Sequence, residues 1–243
     1  MSGCLEDTDV VVLAGGLGTR LAGVLDGTPK VLAPIGGRPF LSVLLAWLQG
    51  FGARRLIFGL GHLADAVEAY LEENTPEGME CVAVVESERL GTAGAIRNLA
   101  GHIRNFPVLV MNGDTFVDAD LCKYLSGHAV LGMPGSILCT QVAEAGRYGS
   151  VDIDGRGRIV GFLEKNSTGG SGGIINAGVY LFERELLDVI IASDGPSLEA
   201  DVFQKLPPGT LNAHAGKFTF LDIGTPEDLA LAPEVLVHYF DAS

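Results

Sequence analysis

Basic residues are scarce in this chain. Its 243 residues carry 16 Lys plus Arg against 30 Asp plus Glu, a formal net charge of −14. Nucleic acid and anionic membranes both attract a basic face, so the expectation is that neither is a partner. No apolar run approaches the roughly 20 residues of a membrane-crossing helix, and no basic-then-apolar leader precedes the first apolar segment. A cytoplasmic location is expected on that ground. Cysteine is sparse too: Cys4, Cys81, Cys122 and Cys139 form no C-x-x-C pair and have no histidines grouped near them. That argues against a zinc site, and reduced thiols are the simpler expectation. No Ser-His-Asp or Cys-His arrangement stands out.

Two familiar phosphate loops are also missing. No Lys-Ser or Lys-Thr follows the first glycine cluster, and a G-x-G-x-x-G reading fails at Leu21. What is present is an apolar run, Val10 to Ala14, that breaks at once into Gly15, Gly16 and Gly18. Glycine lets backbone N–H groups approach an anion closely and converge on it. Leu13 and Ala14 lead into that loop. Thr19 adds a hydroxyl, and Arg20 and Lys30 are the sole basic side chains between residues 1 and 37. A polyphosphate seat accounts for this pattern, and a plain strand-to-loop turn with solvated charges is the competing reading.

The rest alternates. Apolar spacing predicts helices over 40–51, about 63–73, 94–99, a segment to Leu125 capped by Asp118 or Asp120, about 183–192, about 198–205 and about 226–237. Strands are predicted over 55–59, 81–85, 106–111, 137–142, 150–153, 159–164 and 174–182, with a hairpin around Ala215-Gly216-Lys217 and 218–221. The β-α-β rhythm of the first half implies an α/β domain with parallel strands and a ligand crevice at their carboxyl ends. One domain over 1–243 is expected, with a nucleotide-binding half (1–134) and a substrate-binding half (135–243).

Asp114 and Asp222 each end an apolar strand and suit Mg²⁺ as hard oxygen ligands, although each could equally form a turn or cap a helix. Glu164 and Lys165 end another strand. Lys165 is a candidate for a second phosphate, and Glu164 and Asn176 could bind sugar hydroxyls. An exposed ion pair at a strand edge is the alternative for the Glu-Lys pair.

In chain order, LAGGLGTRL (13–21), PK (29–30), API-x-GRPF (33–40), LGTAGAI (90–96), NGDT (112–115), YG (148–149), EK (164–165), INAGVY (175–180) and DIGTPED (222–228) resemble the sugar-1-phosphate nucleotidyltransferases. The wording is most similar to D-glycero-α-D-manno-heptose 1-phosphate guanylyltransferases, with mannose-1-phosphate guanylyltransferases and uridylyltransferases as near relatives. The resemblance implies a three-layer α/β/α sandwich around a Rossmann-like, mixed, mostly parallel sheet. It implies that a sugar 1-phosphate attacks the α-phosphorus of GTP to give a GDP-sugar, a glycan precursor, and pyrophosphate. By matched motif, Gly15 to Arg20 would hold the triphosphate, Arg20 and Lys30 would neutralise the reacting phosphate, and Asp114 with Asp222 would hold Mg²⁺. Gly91, Thr92 and Asn112 would lie against the nucleotide. Lys165 would grip the sugar phosphate, and Gly149, Glu164 and Asn176 the sugar. A homo-oligomer is compatible with the resemblance.

Glu86 bears on the base. Guanine presents N1–H and N2–H₂ side by side, two donors that one carboxylate accepts together, whereas uracil offers a single N–H. Relatives using uridine or thymidine triphosphates often carry Gln here. Glu88 could serve instead. Three features depart from the family: residues 1–9 have no match and are expected to be disordered, Ala22-Gly23 replaces a common further arginine, and 166–173 is a glycine-rich, flexible loop. Two other function classes compete: a regulatory nucleotide-sugar-binding protein, and a glycosyltransferase using Asp118-x-Asp120.

Overall fold

A short β-branched run that is apolar on both faces must be buried between two layers. The computed structural model, which describes residues 3–163 and 172–240, meets that requirement in its first strand. β1 (Asp9–Ala14) turns Val10 and Val12 into one core and Val11 into the other. After the glycine loop come the short helix α1 (Ala22–Leu25), the paired two-residue strands β2 (Pro34–Ile35) and β3 (Arg38–Pro39), and α2 (Phe40–Gly50). The units β4 (Arg55–Leu60), α3 (Ala64–Asn74) and β5 (Glu80–Val85) follow, then α4 (Gly91–Leu99) and β6 (Val108–Asn112).

The second half begins with β7 (Thr115–Val117) and α5 (Leu121–Leu131). It continues through β8 (Gly135–Val142), β9 (Ser150–Ile153), β10 (Ile159–Leu163), β11 (Gly173–Phe182) and α6 (Arg184–Ala192). It ends with β12 (Leu211–Gly216), β13 (Phe220–Asp222), α7 (Pro226–Val235) and α8 (Val237–Phe240).

Nine strands form one sheet. β5, β4, β1 and β6 run parallel to one another, and β11 joins antiparallel to β6. β8 takes the far edge of β11, with β12 parallel beyond it. On its near edge β11 pairs β6 through Val179–Phe182 and β9 through Ile175, so β6 and β9 share that edge end to end. The gap between them lies at Asn176–Gly178, within the stretch Asn176–Tyr180 where the register of β11 also shifts against β8. Both halves therefore build one mixed sheet, with helices covering two separate cores.

Several expectations need correction. The segment at 211–222 is no hairpin: β12 pairs β8, and β13 pairs β7 in a sheet of its own. The helix predicted at 198–205 is a π-turn, Leu198–Val202, followed by a 3₁₀ turn, Phe203–Lys205. Asp120 caps α5 by accepting the Lys123 N–H at 3.0 Å, and the helix runs past Leu125 to Leu131. Residues 3–8, before β1, are ordered: Leu5 is fully buried and donates its N–H to the Phe51 carbonyl. The expectation of reduced thiols fails at Cys4 and Cys122, which form a disulfide across a separation of 118 residues; Cys81 and Cys139 are free. Among the described residues no helix is long and apolar enough to cross a membrane.

Candidate active site

β1, β4 and β6 are parallel neighbours, so their carboxyl ends open on one side of the sheet. A cavity of about 250 Å³ lies there. Leu13, Ala14, Gly15 and Gly16 form one wall, Gly91, Thr92 and Ala95 at the start of α4 another, and Asn112, Gly113 and Asp114 the floor; Lys30, Val31, Glu86 and Arg89 complete it. Gly18 takes a φ of 60°, a left-handed backbone natural to glycine, and starts the 3₁₀ turn Thr19–Leu21.

Glu86 follows β5 and donates its N–H to the Leu60 carbonyl. Its carboxylate sits between two glycines: a Cβ on Gly15 would lie 2.7 Å from its Oε1, and one on Gly61 2.8 Å. Burial pushes the Glu86 carboxyl up, with the Leu90 backbone N–H and Arg89 pulling it back. A partly desolvated acceptor that follows β5, with Asp114 following β6 on the other side of β1, suits a nucleobase edge.

A second cavity, lined by Thr115, Tyr148, Gly149, Asn176, Gly178, Tyr180, Ser197, Glu199, Phe220 and Asp222 among others, shares Thr92 and Asn112 with the first. Its floor is the irregular stretch of β11. Gly178 has a φ of 71°, and a Cβ there would stand 2.5 Å from the Asn112 Nδ2. Asn176 accepts the Gly178 N–H at 2.9 Å and donates to Glu199 at 2.6 Å and to the Tyr180 hydroxyl at 3.0 Å. Burial first, and Glu199 second, raise the Tyr180 pKa and keep its hydroxyl protonated.

Where the cavities meet, Lys30 Nζ lies 2.5 Å from Asp114 Oδ2 and 3.8 Å from Asp222 Oδ1. Burial, then the charge of Asp114, raises the Asp222 pKa, while Lys30 and Arg20 lower it. The Asp222 Oδ1 is buried without a hydrogen-bond partner. An orphaned carboxylate oxygen beside a second carboxylate is an electrostatic position that favours a further cation.

The sequence matches the family described as Nucleotidyl transferase over residues 9–236. The chain belongs to the nucleotidyl transferase family. It is 34% identical over 235 residues to the mannose-1-phosphate guanylyltransferase of Mycobacterium tuberculosis, across 96% of this chain and 65% of that protein, so it spans just under two thirds of that relative's length. It is 32% identical over 220 residues to the D-glycero-α-D-manno-heptose 1-phosphate guanylyltransferase of Campylobacter jejuni, across 90% of this chain and 95% of that protein. The crystal structure of HddC from Yersinia pseudotuberculosis complexed with GMP-PN shares the fold with a TM-score of 0.81 at 35% identity, covering 93% of this chain and 98% of that one.

In this nucleotidyltransferase the structure gathers most of the sequence-predicted residues. Leu13, Ala14, Gly15, Gly16, Lys30, Glu86, Gly91, Thr92, Asn112 and Asp114 line the first cavity, and Gly149, Asn176 and Asp222 the second. Gly18 lines a smaller hollow behind the loop that also touches Gly16 and Lys30. Thr19 and Arg20 lie exposed on the 3₁₀ turn, outside both cavities, although Arg20 is close enough to influence Asp222. Glu164 and Lys165, and with them most of the glycine-rich loop, lie outside the described residues. Arg89, Tyr148, Tyr180 and Glu199 were missed. Tyr180 was in plain view in the INAGVY run beside Asn176, whereas Glu199 reaches the site through tertiary contacts that carry no local pattern.

Proposed function

We propose that this nucleotidyltransferase is a sugar-1-phosphate guanylyltransferase, joining D-glycero-α-D-manno-heptose 1-phosphate to GTP with release of pyrophosphate. The observation that carries the reading is the pair of cavities that share Thr92 and Asn112 and meet at Lys30, Asp114 and Asp222. One cavity has a glycine-loop wall and a carboxylate suited to guanine; the other is lined with hydroxyl, amide and carboxylate groups suited to a sugar. Heptose is favoured over mannose by length: the heptose enzyme is matched over 95% of its chain and the mannose enzyme over 65% of its own.

In this reading Gly15 and Gly16 offer backbone N–H groups to the triphosphate, and Glu86 accepts the two guanine N–H donors. The sugar phosphate enters from the second cavity, and its oxygen attacks the α-phosphorus in line with the departing pyrophosphate. Both reactants are polyanions, so positioning and positive charge dominate and no general base is required. Lys30 stands at the junction to neutralise the reacting phosphate, with Arg20 nearby. Asp114 and Asp222 would hold Mg²⁺, which would supply charge neutralisation. Among the described residues no group of three His, Cys, Asp or Glu could hold a metal. Two carboxylates suit Mg²⁺, which takes its remaining ligands from water and substrate phosphates. Lys165 would grip the sugar phosphate, and Glu164 with Asn176 and Gly149 the sugar.

The test is a pyrophosphate-release screen of heptose, mannose, glucose and N-acetylated sugar 1-phosphates against each nucleoside triphosphate with Mg²⁺. GTP with the heptose substrate should give the highest kcat/KM. Equal release from GTP and UTP would defeat the guanine assignment, and faster release with mannose 1-phosphate would defeat the heptose assignment.

A further inference from the structure

Helix α4 faces the first cavity with Gly91, Thr92 and Ala95, yet much of its bonding points the other way. The segment from Ser193 to Leu198 crosses its first turns and is fastened to them. The Ala93 N–H donates to the Pro196 carbonyl at 2.9 Å, and the Thr92 hydroxyl accepts the Leu198 N–H at 2.9 Å. Gly91, at a φ of 72°, leaves no room for a side chain, since a Cβ would stand 2.5 Å from the Pro196 carbonyl oxygen. One turn further along α4, Arg97 donates to the Ser193 hydroxyl and to the Gly195 carbonyl, each at 3.0 Å. Arg97 lines neither cavity.

Glu199 follows directly on this strap. It receives the Asn176 amide in the second cavity, and a Cβ on Gly149 would lie 3.5 Å from its Oε2. Glu199 also lies within the π-turn Leu198–Val202, a wide-ring conformation that is uncommon and recurs at functional sites. A π-turn has weak preference for its own geometry, so the bonds at its start fix where it lies. Ser197 supplies one end by accepting the Ala200 N–H and donating its own N–H to Asp201. Leu198 and Val202 anchor it in the core, and the α4 bonds hold the strap that leads into it.

We propose that Arg97 is a positioning residue for the sugar-phosphate substrate, acting through Ser193 and Gly195 to hold the strap that aims Glu199 at the second cavity. The inference rests on the sugar-phosphate reading of that cavity. Its consequence is a division of labour within one helix: the first turn of α4 meets the nucleotide, and the Arg97 turn sets the sugar site without touching either substrate.

Arg97→Met keeps the stem and removes the donors; Ser193→Ala removes one acceptor with little effect on packing. In the full-length protein, Arg97→Met should raise KM for the sugar 1-phosphate by about ten-fold, Ser193→Ala by a smaller factor, and KM for GTP should stay within about two-fold, an ordering scaled to the loss of two charged hydrogen bonds against one. Arg97→Lys should recover part of the loss. Hydrogen exchange should quicken at Leu198–Val202 in both variants and stay unchanged in β1. Parallel rises in both KM values, or unchanged KM values in both variants, would overturn the proposal while leaving the guanylyltransferase reading intact. If the unmodified protein releases no pyrophosphate from any substrate pair, that reading falls instead; unchanged exchange at Leu198–Val202 would then overturn the clamp independently.

Discussion

Lys30 Nζ stands 2.5 Å from Asp114 Oδ2, and its side chain is 12% exposed. One buried cation thus keeps two facing carboxylates apart in charge until substrates arrive. Lys30→Met should lower kcat by on the order of 10²-fold or more, the usual cost of removing a group aimed at developing charge. Added Mg²⁺ should not restore the rate if, as proposed, the ammonium neutralises the reacting phosphate as well as the carboxylates. Single-turnover kinetics with saturating substrates would measure the loss, and a kcat within a factor of three of the unmodified enzyme would remove Lys30 from the chemistry.

Asp222 sits in a position that disfavours its own charge. Burial and Asp114 raise its pKa, so the folded state holds the Asp222 proton more tightly than the unfolded chain does. The sign follows: between the unfolded carboxyl pKa of about 3.9 and the higher folded value, stability falls as pH rises, and the deficit persists above that window. Asp222→Asn should therefore leave the Tm equal to or above that of the unmodified protein at pH 7 while abolishing Mg²⁺-dependent pyrophosphate release. A clear drop in Tm would contradict the assigned electrostatics.

Base choice should respond to Glu86 and to the glycines that grip it. Glu86→Gln should lower the GTP-to-UTP ratio of kcat/KM by about ten-fold, the order expected when one bidentate contact with a base edge is lost. Gly61→Ala is the complementary change. Its Cβ would press on Glu86 Oε1 and on the Gly15 carbonyl, each at 2.8 Å. The variant should weaken GTP binding, measured by calorimetry, with the sugar-phosphate KM little altered.

The Cys4–Cys122 disulfide ties the segment before β1 to α5 and closes a separation of 118 residues. Closing so long a loop limits the unfolded chain, a stabilisation of about 5 kcal/mol in the chain-entropy account. Cys4→Ser, or dithiothreitol, should lower the Tm by several degrees without changing KM for either substrate, since neither cysteine lines a cavity. Mass spectrometry of the intact, alkylated protein checks the bond itself, and two modified sites at Cys4 and Cys122 would refute it.

The parallel half of the fold was legible because each of its strands is an apolar run between helices with clear spacing, as at Val10–Ala14 and Arg55–Leu60. β12 escaped because only Leu211 and Ala213 make up its core-facing side, with Asn212 and His214 on the other, too short a pattern to stand out; β8 offers Gly135–Thr140 as its parallel partner. The glycine loop, Glu86, Asp114 and Asp222 could be read at strand ends, where side chains meet a crevice whatever the details beyond. Glu199 could not, since its place depends on hydrogen bonds from α4 about a hundred positions earlier in the chain. The disulfide was hidden for a related reason: local spacing says nothing about cysteines 118 residues apart.

The floor of the second cavity belongs to β11, a central strand held by β6 and β9 on one edge and β8 on the other. Asn176 is bonded there to Tyr180 and Glu199, and Gly178 leaves no room for a side chain, since a Cβ would stand 2.5 Å from the Asn112 Nδ2. The walls, by contrast, come from the loop at Tyr148–Gly149, the π-turn and Phe220. A lineage could redraw those walls for a different sugar while the sheet kept the reacting groups aligned, so divergence in substrate among such enzymes should accumulate at the rim and spare the strand beneath it.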